Sequence, residues 1–108
     1  MTTFDEREKG FEAKYKHDQE LRFKVSARRN RLLGLWAAGK MGIVGAAAEA
    51  YARSVVDADF EKPGDDDVVE KVVADLNAKG VAIDAHGVRR EMDRLAAIAK
   101  DQVSKEVK

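Results

Sequence analysis

The side chains best suited to binding a ligand lie between Glu20 and Glu49, a tract that contains basic residues and no acidic one. In this tract Arg28, Arg29 and Arg31 could hold phosphates and Trp36 could stack on a base. Such a set would bind ATP or ADP. The alternative is a core tryptophan beside a solvated basic face, and we favour that alternative.

The glycine run GKMGIVG, residues 39–45, superficially resembles a phosphate-binding loop with its lysine. It lacks the serine or threonine that should follow the lysine, the required glycine spacing and a preceding strand. We therefore interpret it as a turn between two helices.

Other catalytic or metal chemistry finds little support in the residues. His17 and His86 stand apart from any triad or ligand set, and metal sites need several converging ligands. Asp65, Asp66 and Asp67 are consecutive, so their carboxylates point in different directions and suit a helix cap better than calcium. We predict no metal and no enzyme activity. The basic tract carries no known nucleic-acid reading motif, which argues against a nucleic-acid partner.

The composition fits one small domain. The chain has 108 residues, 37% charged and 44% hydrophobic, with a net charge of +0 and no cysteine. This balance allows folding but gives no overall attraction to nucleic acid or an anionic membrane. The N-terminus is acidic and polar, whereas a signal peptide is basic and then apolar, and no apolar run reaches membrane-spanning length. We expect a cytoplasmic protein without direct membrane insertion.

Four stretches show helical spacing of apolar residues, and each predicts one buried face. The predicted faces are Leu21, Val25, Leu32, Leu35 and Trp36; Ala47, Tyr51, Val55 and Ala58; Val68, Val69, Val72, Val73 and Leu76; and Val88, Met92, Leu95, Ala99 and Val103. In the first stretch Arg28 takes an apolar position, and we expect its stem to lie along the apolar face. Turns are predicted at the glycine run, at residues 62–64 and at Lys79-Gly80, and the fourth helix is predicted to open near Asp84.

The N-terminal part of the first helix is different. Thr3 and Glu6 form a capping box, but only Phe4, Phe11 and Tyr15 supply an apolar stripe. A helix this poor in apolar contacts suits a groove on another protein, unless it folds back on its own bundle. We predict an all-α fold: a small four-helix bundle with a long N-terminal helix whose first half is mobile in the free protein.

Three segments resemble a known family: FDEREKGFEAKYKHDQELRFK, ARRNRLLGLWAA and AYARSVVDADFEKPGDDDVVEKV. They are similar to the zeta subunit of certain bacterial respiratory ATP synthases, and the similarity spans nearly the whole chain. The resemblance implies an inhibitory segment at residues 1–20 and a four-helix bundle at residues 21–108. It also implies a regulatory inhibitor that inserts its N-terminal helix into a catalytic interface between the alpha and beta subunits of F1-ATPase and meets the gamma subunit.

In such an inhibitor, ATP hydrolysis is blocked far more than synthesis, and the protein is peripheral to the inner membrane while bound to the ATP synthase. Carried onto this sequence, the resemblance implies partner-binding roles for Phe4, Asp5, Arg7, Glu8, Phe11, Glu12, Lys14 and Tyr15. The three aromatic residues would be apolar anchors, and the charged ones would fix register and orientation. Two alternatives remain open: a nucleotide-binding helical sensor module that uses Arg28, Arg29, Arg31 and Trp36, and a helical adaptor unrelated to the ATPase.

Overall fold

The computed structural model describes the backbone of residues 2–61 and 65–106 and the side chains of residues 19–59 and 65–106. These described residues form four helices: α1 (Thr2–Lys40), α2 (Ala46–Glu61), α3 (Asp65–Ala78) and α4 (Ala85–Glu106). No strand occurs in these described ranges. The prediction of an all-α four-helix bundle is confirmed. The mobility predicted for the first half of α1 and the turn at residues 62–64 lie outside the described residues.

Two of the predicted turns are confirmed by the same helix-ending motif. After α1, the Ile43 amide donates to the Ala38 carbonyl at 2.8 Å and the Gly42 amide to the Gly39 carbonyl at 3.2 Å. After α3, the matching bonds run from Val81 to Leu76 at 2.9 Å and from Gly80 to Asn77 at 3.0 Å. This is the Schellman arrangement, which requires a left-handed residue. Gly42 and Gly80 supply it, with φ of 74° and 79°.

The N-terminus of α4 is capped as predicted. The Asp84 side-chain Oδ1 accepts a hydrogen bond from the Gly87 amide at 2.9 Å, and its carbonyl accepts one from Val88 at 3.1 Å. At α3, all three residues of the Asp65–Asp67 run lie in the first turn, where the helix dipole favours negative charge. These acidic residues therefore mark helix starts.

All four helices contribute to the core, and α1 packs most extensively against α2 and α4. All five residues predicted for the inner face of α4 are buried, and so are four of the five predicted for α3, Val73 being half-buried. The buried cluster consists of Leu33, Ala37, Val55, Val68, Val69, Val72, Leu76, Val88, Met92 and Leu95. A single core of this kind accounts for one folded unit.

The inner faces of α1 and α2 differ from the prediction. The residues predicted to lead the α1 face, among them Leu32 and Trp36, are only half-buried. The centre of the face instead comprises Asn30, Leu33, Gly34, Ala37 and Ala38. On α2 the fully buried positions are Ala52 and Val55, while Ala47 is exposed. Because α1 packs against all three other helices, its central line carries small residues and its larger residues flank that line.

Candidate functional site

The candidate site begins where α1 leaves the bundle. Of residues 19–24, all are exposed except Leu21, which is half-buried. The helix nevertheless continues towards the N-terminus as far as Thr2. The side chains predicted to bind a partner lie outside the described residues: Phe4, Asp5, Arg7, Glu8, Phe11, Glu12, Lys14 and Tyr15. What the structure does show is the part of the bundle from which their segment extends.

Arg28 joins α1 to the end of α4. Its Nη1 donates to Gln102 Oε1 at 2.9 Å, and its Nη2 donates to both carboxylate oxygens of Glu106 at 2.7 and 2.8 Å. The Arg28 side chain is 26% exposed. The guanidinium also places a cation at the helix terminus that carries negative partial charge. The expected burial of its stem is therefore accompanied by a specific partner for its head group.

Arg29 joins the same turn of α1 to the start of α3. Its Nη2 lies 2.8 Å from Asp65 Oδ1, and its side chain is only 13% exposed. Its Nε and Nη2 also donate to Asn30 Oδ1 at 3.2 and 3.0 Å. Asn30 is fully buried, and its Nδ2 has no hydrogen-bond partner. At the centre of the α1 face, the oxygen of the buried Asn30 amide thus accepts hydrogen bonds, while its nitrogen donates none.

Arg31 joins α1 to the first turn of α2. Its Nη2 donates to the two carboxylate oxygens of Glu49 at 3.1 and 3.0 Å. This pair is the most exposed of the three, with side-chain exposures of 47% for Arg31 and 58% for Glu49. One turn of α1 therefore reaches the other three helices by three ion pairs. We call this set of residues the collar: Arg28, Arg29, Arg31, Glu49, Asp65 and Glu106.

The nucleotide candidates are not gathered into one pocket of the described residues. Arg28 and Arg31 border a groove of about 300 Å³ together with Phe23 and Val56, whereas Arg29 is directed at α3. Trp36 is half-buried and packs against the core. Each guanidinium already has a carboxylate partner, so a phosphate would have to displace it. Sequence reasoning missed those carboxylates, because Glu49, Asp65 and Glu106 lie 18, 36 and 78 residues away.

A second polar cluster links α2 to α3. The Tyr51 hydroxyl donates to Asp75 Oδ2 at 2.8 Å, and Lys71 Nζ lies 3.0 Å from the same oxygen. The Lys71 ammonium also sits 5.3 Å from the Tyr51 ring centroid. Burial, then the hydrogen bond and charge of Asp75, raise the pKa of the Tyr51 phenol well above its usual value. The phenol is therefore a stable hydrogen-bond donor at neutral pH and a poor proton-transfer group.

The described residues contain no group of three or more histidine, aspartate or glutamate side chains placed to hold a metal ion. His86 is exposed, and the Ser54 hydroxyl donates to the Tyr51 carbonyl of its own helix at 2.6 Å. In the described part of the chain, no helix combines the length and apolar character needed to cross a membrane.

Comparison with known proteins gives the family. The family model for the ATPase inhibitor subunit zeta matches residues 1–102. A search of curated proteins finds no match. A solved structure described as a solution NMR structure is 45% identical, with a TM-score of 0.70, and the match covers 80% of this chain and 98% of the other. The family model spans almost the whole sequence, and the 45% identical structure shares the fold. The chain therefore belongs to the ATPase inhibitor subunit zeta family, whose role is regulatory.

Proposed function

We propose that this protein inhibits ATP hydrolysis by F1Fo-ATP synthase by inserting residues 1–20 into a catalytic interface between the alpha and beta subunits of F1, where the segment also meets gamma. An inhibitory role on the ATP synthase follows from the family. The observation that carries the insertion mechanism is the continuation of α1 to Thr2, beyond the point where its side chains become exposed at residues 19–24.

The amino-acid types of the segment suit this role. Each aromatic ring of Phe4, Phe11 and Tyr15 that becomes buried in a groove contributes about 1.5–3 kcal/mol. A helix with such a sparse stripe gains little from packing within its own chain but can dock in a partner's groove. The charged residues between the rings, Asp5, Arg7, Glu8, Glu12 and Lys14, would pair with groups at the interface and set its register.

The insertion would stop rotation in the hydrolytic direction far more than in the synthetic direction, so the protein would act as a one-way brake. While bound, it would be cytoplasmic and peripheral to the inner membrane. The bundle formed by residues 21–108 would then serve as the support that presents the segment.

The test is inhibition of ATP hydrolysis by the F1 complex of the same organism. In the full chain, the triple variant Phe4→Ala, Phe11→Ala, Tyr15→Ala should need at least about a hundredfold higher concentration for half-inhibition, because three anchors are lost. The matched control is Val44→Ala with Ile98→Ala, which shortens two exposed apolar residues of the bundle. The control should inhibit like the wild type. Equal inhibition by the full chain and by a chain starting at Leu21 would place the inhibitory surface on the bundle and refute the proposal.

A further inference from the structure

We infer that the collar sets the direction in which the N-terminal half of α1 leaves the bundle, and that Arg28, Arg29 and Arg31 are positioning residues for inhibition. Only the expected effect on inhibition rests on the proposed function. Its structural basis is one helical turn of α1 that is paired with a terminal turn of each of the other three helices.

The positions of the three carboxylates support this role. Glu49 lies in the first turn of α2, Asp65 in the first turn of α3, and Glu106 is the last residue of α4. The pairs therefore surround α1 at the level where it leaves the core. On the N-terminal side of this level Val25, Ser26 and Ala27 are still half-buried and residues 22–24 are exposed, so the packing that restrains α1 weakens over about one turn beyond the collar.

The lengths involved make this direction important. Phe4 is 24 residues from Arg28, or about 36 Å along a helix at 1.5 Å per residue. A tilt of about 10° at the collar would displace that position by about 6 Å, which exceeds the size of a side-chain pocket. Because the first half of α1 is predicted to be mobile until it docks, a fixed direction of the emerging part of α1 near Glu20 limits the positions that the segment must search and should raise its affinity.

Ion pairs at a protein surface usually contribute little to stability, and this separates a positioning role from a structural one. Arg31 and its partner Glu49 are about half exposed, so exchanging Arg31 should alter the angle of α1 more than it alters unfolding, whereas Arg28 and Arg29 are only 26% and 13% exposed and their exchange should also cost some stability. The core beneath them is built from buried apolar side chains, and only Arg29 reaches a fully buried residue, Asn30.

The angle can be measured in the full chain. The sequence has no cysteine, so Glu20→Cys with Ala97→Cys adds two spin-label sites and no competing thiol. Both positions are exposed, one on the emerging part of α1 and one on α4. Glu20 is eight residues from Arg28, or about 12 Å of helix, so a tilt of about 10° shifts its label by about 2 Å.

The test variant is Arg28→Gln, Arg29→Gln, Arg31→Gln in the labelled chain. We expect its distance distribution, measured by double electron–electron resonance, to shift or broaden by about 2 Å or more. The unlabelled variant should need about tenfold more protein for half-inhibition of F1, because the segment is no longer pre-oriented. The matched control is Arg89→Gln, Arg94→Gln, Lys105→Gln. It removes the same charge from three ion pairs within α3 and α4 and should change neither readout.

If the triple variant loses its helical circular dichroism signal, the test uses only the most exposed pair, Arg31 and Glu49. Arg31→Glu should broaden the distribution, and Arg31→Glu with Glu49→Arg should restore it. An unchanged distribution in the collar variants, or a charge swap that behaves like Arg31→Glu alone, would overturn the inference. A wild-type chain that fails to inhibit F1 would instead refute the proposed function, and the distance measurement would still decide the role of the collar.

Discussion

Gly34 of α1 packs directly against the backbone of Ala52 in α2. A Cβ placed at position 34 would lie 2.6 Å from the Ala52 Cα and 3.2 Å from its Cβ. Ala52 is itself only 1% exposed, and a backbone atom cannot rotate out of the way. The distance between the two helices is therefore set by the absence of a side chain at position 34.

Gly34→Ala should destabilise the protein by about 1–3 kcal/mol, because the helices must move apart or bend to admit the methyl group. Gly39→Ala is the control in the same helix, since nothing lies within 4 Å of a Cβ at that position. There the added methyl should stabilise the protein by about 0.5–1 kcal/mol through helix propensity. Urea unfolding measures both effects, and a similar change at both positions would contradict the close contact.

Asn30→Leu should raise the free energy of unfolding by about 1 kcal/mol. The substitution removes a fully buried amide whose Nδ2 has no acceptor, while Arg29 keeps Asp65 as its partner. Asn77→Leu is the control, because Asn77 is exposed and its exchange should stay within about 0.5 kcal/mol of the wild type. A loss of stability at position 30 alone would show that the bond from Arg29 to the amide outweighs the unpaired donor.

Tyr51 should make stability depend on pH in the alkaline range. The pKa of Tyr51 is raised in the folded state, so its neutral phenol stabilises the fold fully at pH values below about 10, the pKa of an unfolded tyrosine. That contribution is lost as the pH rises further. Tyr51→Phe should cost about 1 kcal/mol at pH 7 through the lost bond to Asp75, and the difference should shrink above about pH 10. Urea unfolding of both proteins between pH 7 and 11 gives the comparison, in which Tyr15 is common to both chains. A difference that grows with pH would contradict the assigned direction.

The acidic residues of the N-terminal segment should control the rate of association with F1. In Asp5→Asn, Glu8→Gln, Glu12→Gln the onset of inhibition should be slowed by about tenfold at low ionic strength, and it should respond less to added salt. The matched control is Asp57→Asn, Glu70→Gln, Asp93→Asn, which removes the same charge from exposed positions of the bundle. The onset of inhibition is measured from the time course of ATP hydrolysis after stopped-flow mixing of the inhibitor with F1. Equal slowing in both variants would mean that net charge, and not the segment, guides association.

The sequence predicts α4 and the α3 boundary well because their signals are local. Large apolar residues at spacings of three and four lie on one side of α4, and Asp84 and Gly80 stand at the positions where capping requires them. The inner face of α1 is predicted one position away from its true centre. Periodicity gives weight to large residues such as Leu32 and Trp36, whereas close helix packing selected Gly34 and Ala37.

The collar could not have been predicted from the sequence. Arg28, Arg29 and Arg31 are visible as a basic run, for which the sequence favours a solvated face over phosphate binding. Their partners are separated from them by up to 78 residues, and only the packing of the helices brings each carboxylate to its own side of α1. Local charge patterns do not carry that information.

The pairing of Arg28 with Glu106 also has a consequence for synthesis of the chain. The two residues are 78 positions apart, so the collar is complete only after α2, α3 and α4 have all been synthesised. A nascent chain can thus form the helix of the segment without being able to orient it. A chain truncated before Glu106 would keep its N-terminal segment but lose one of the three ion pairs that direct it, so its inhibition should weaken.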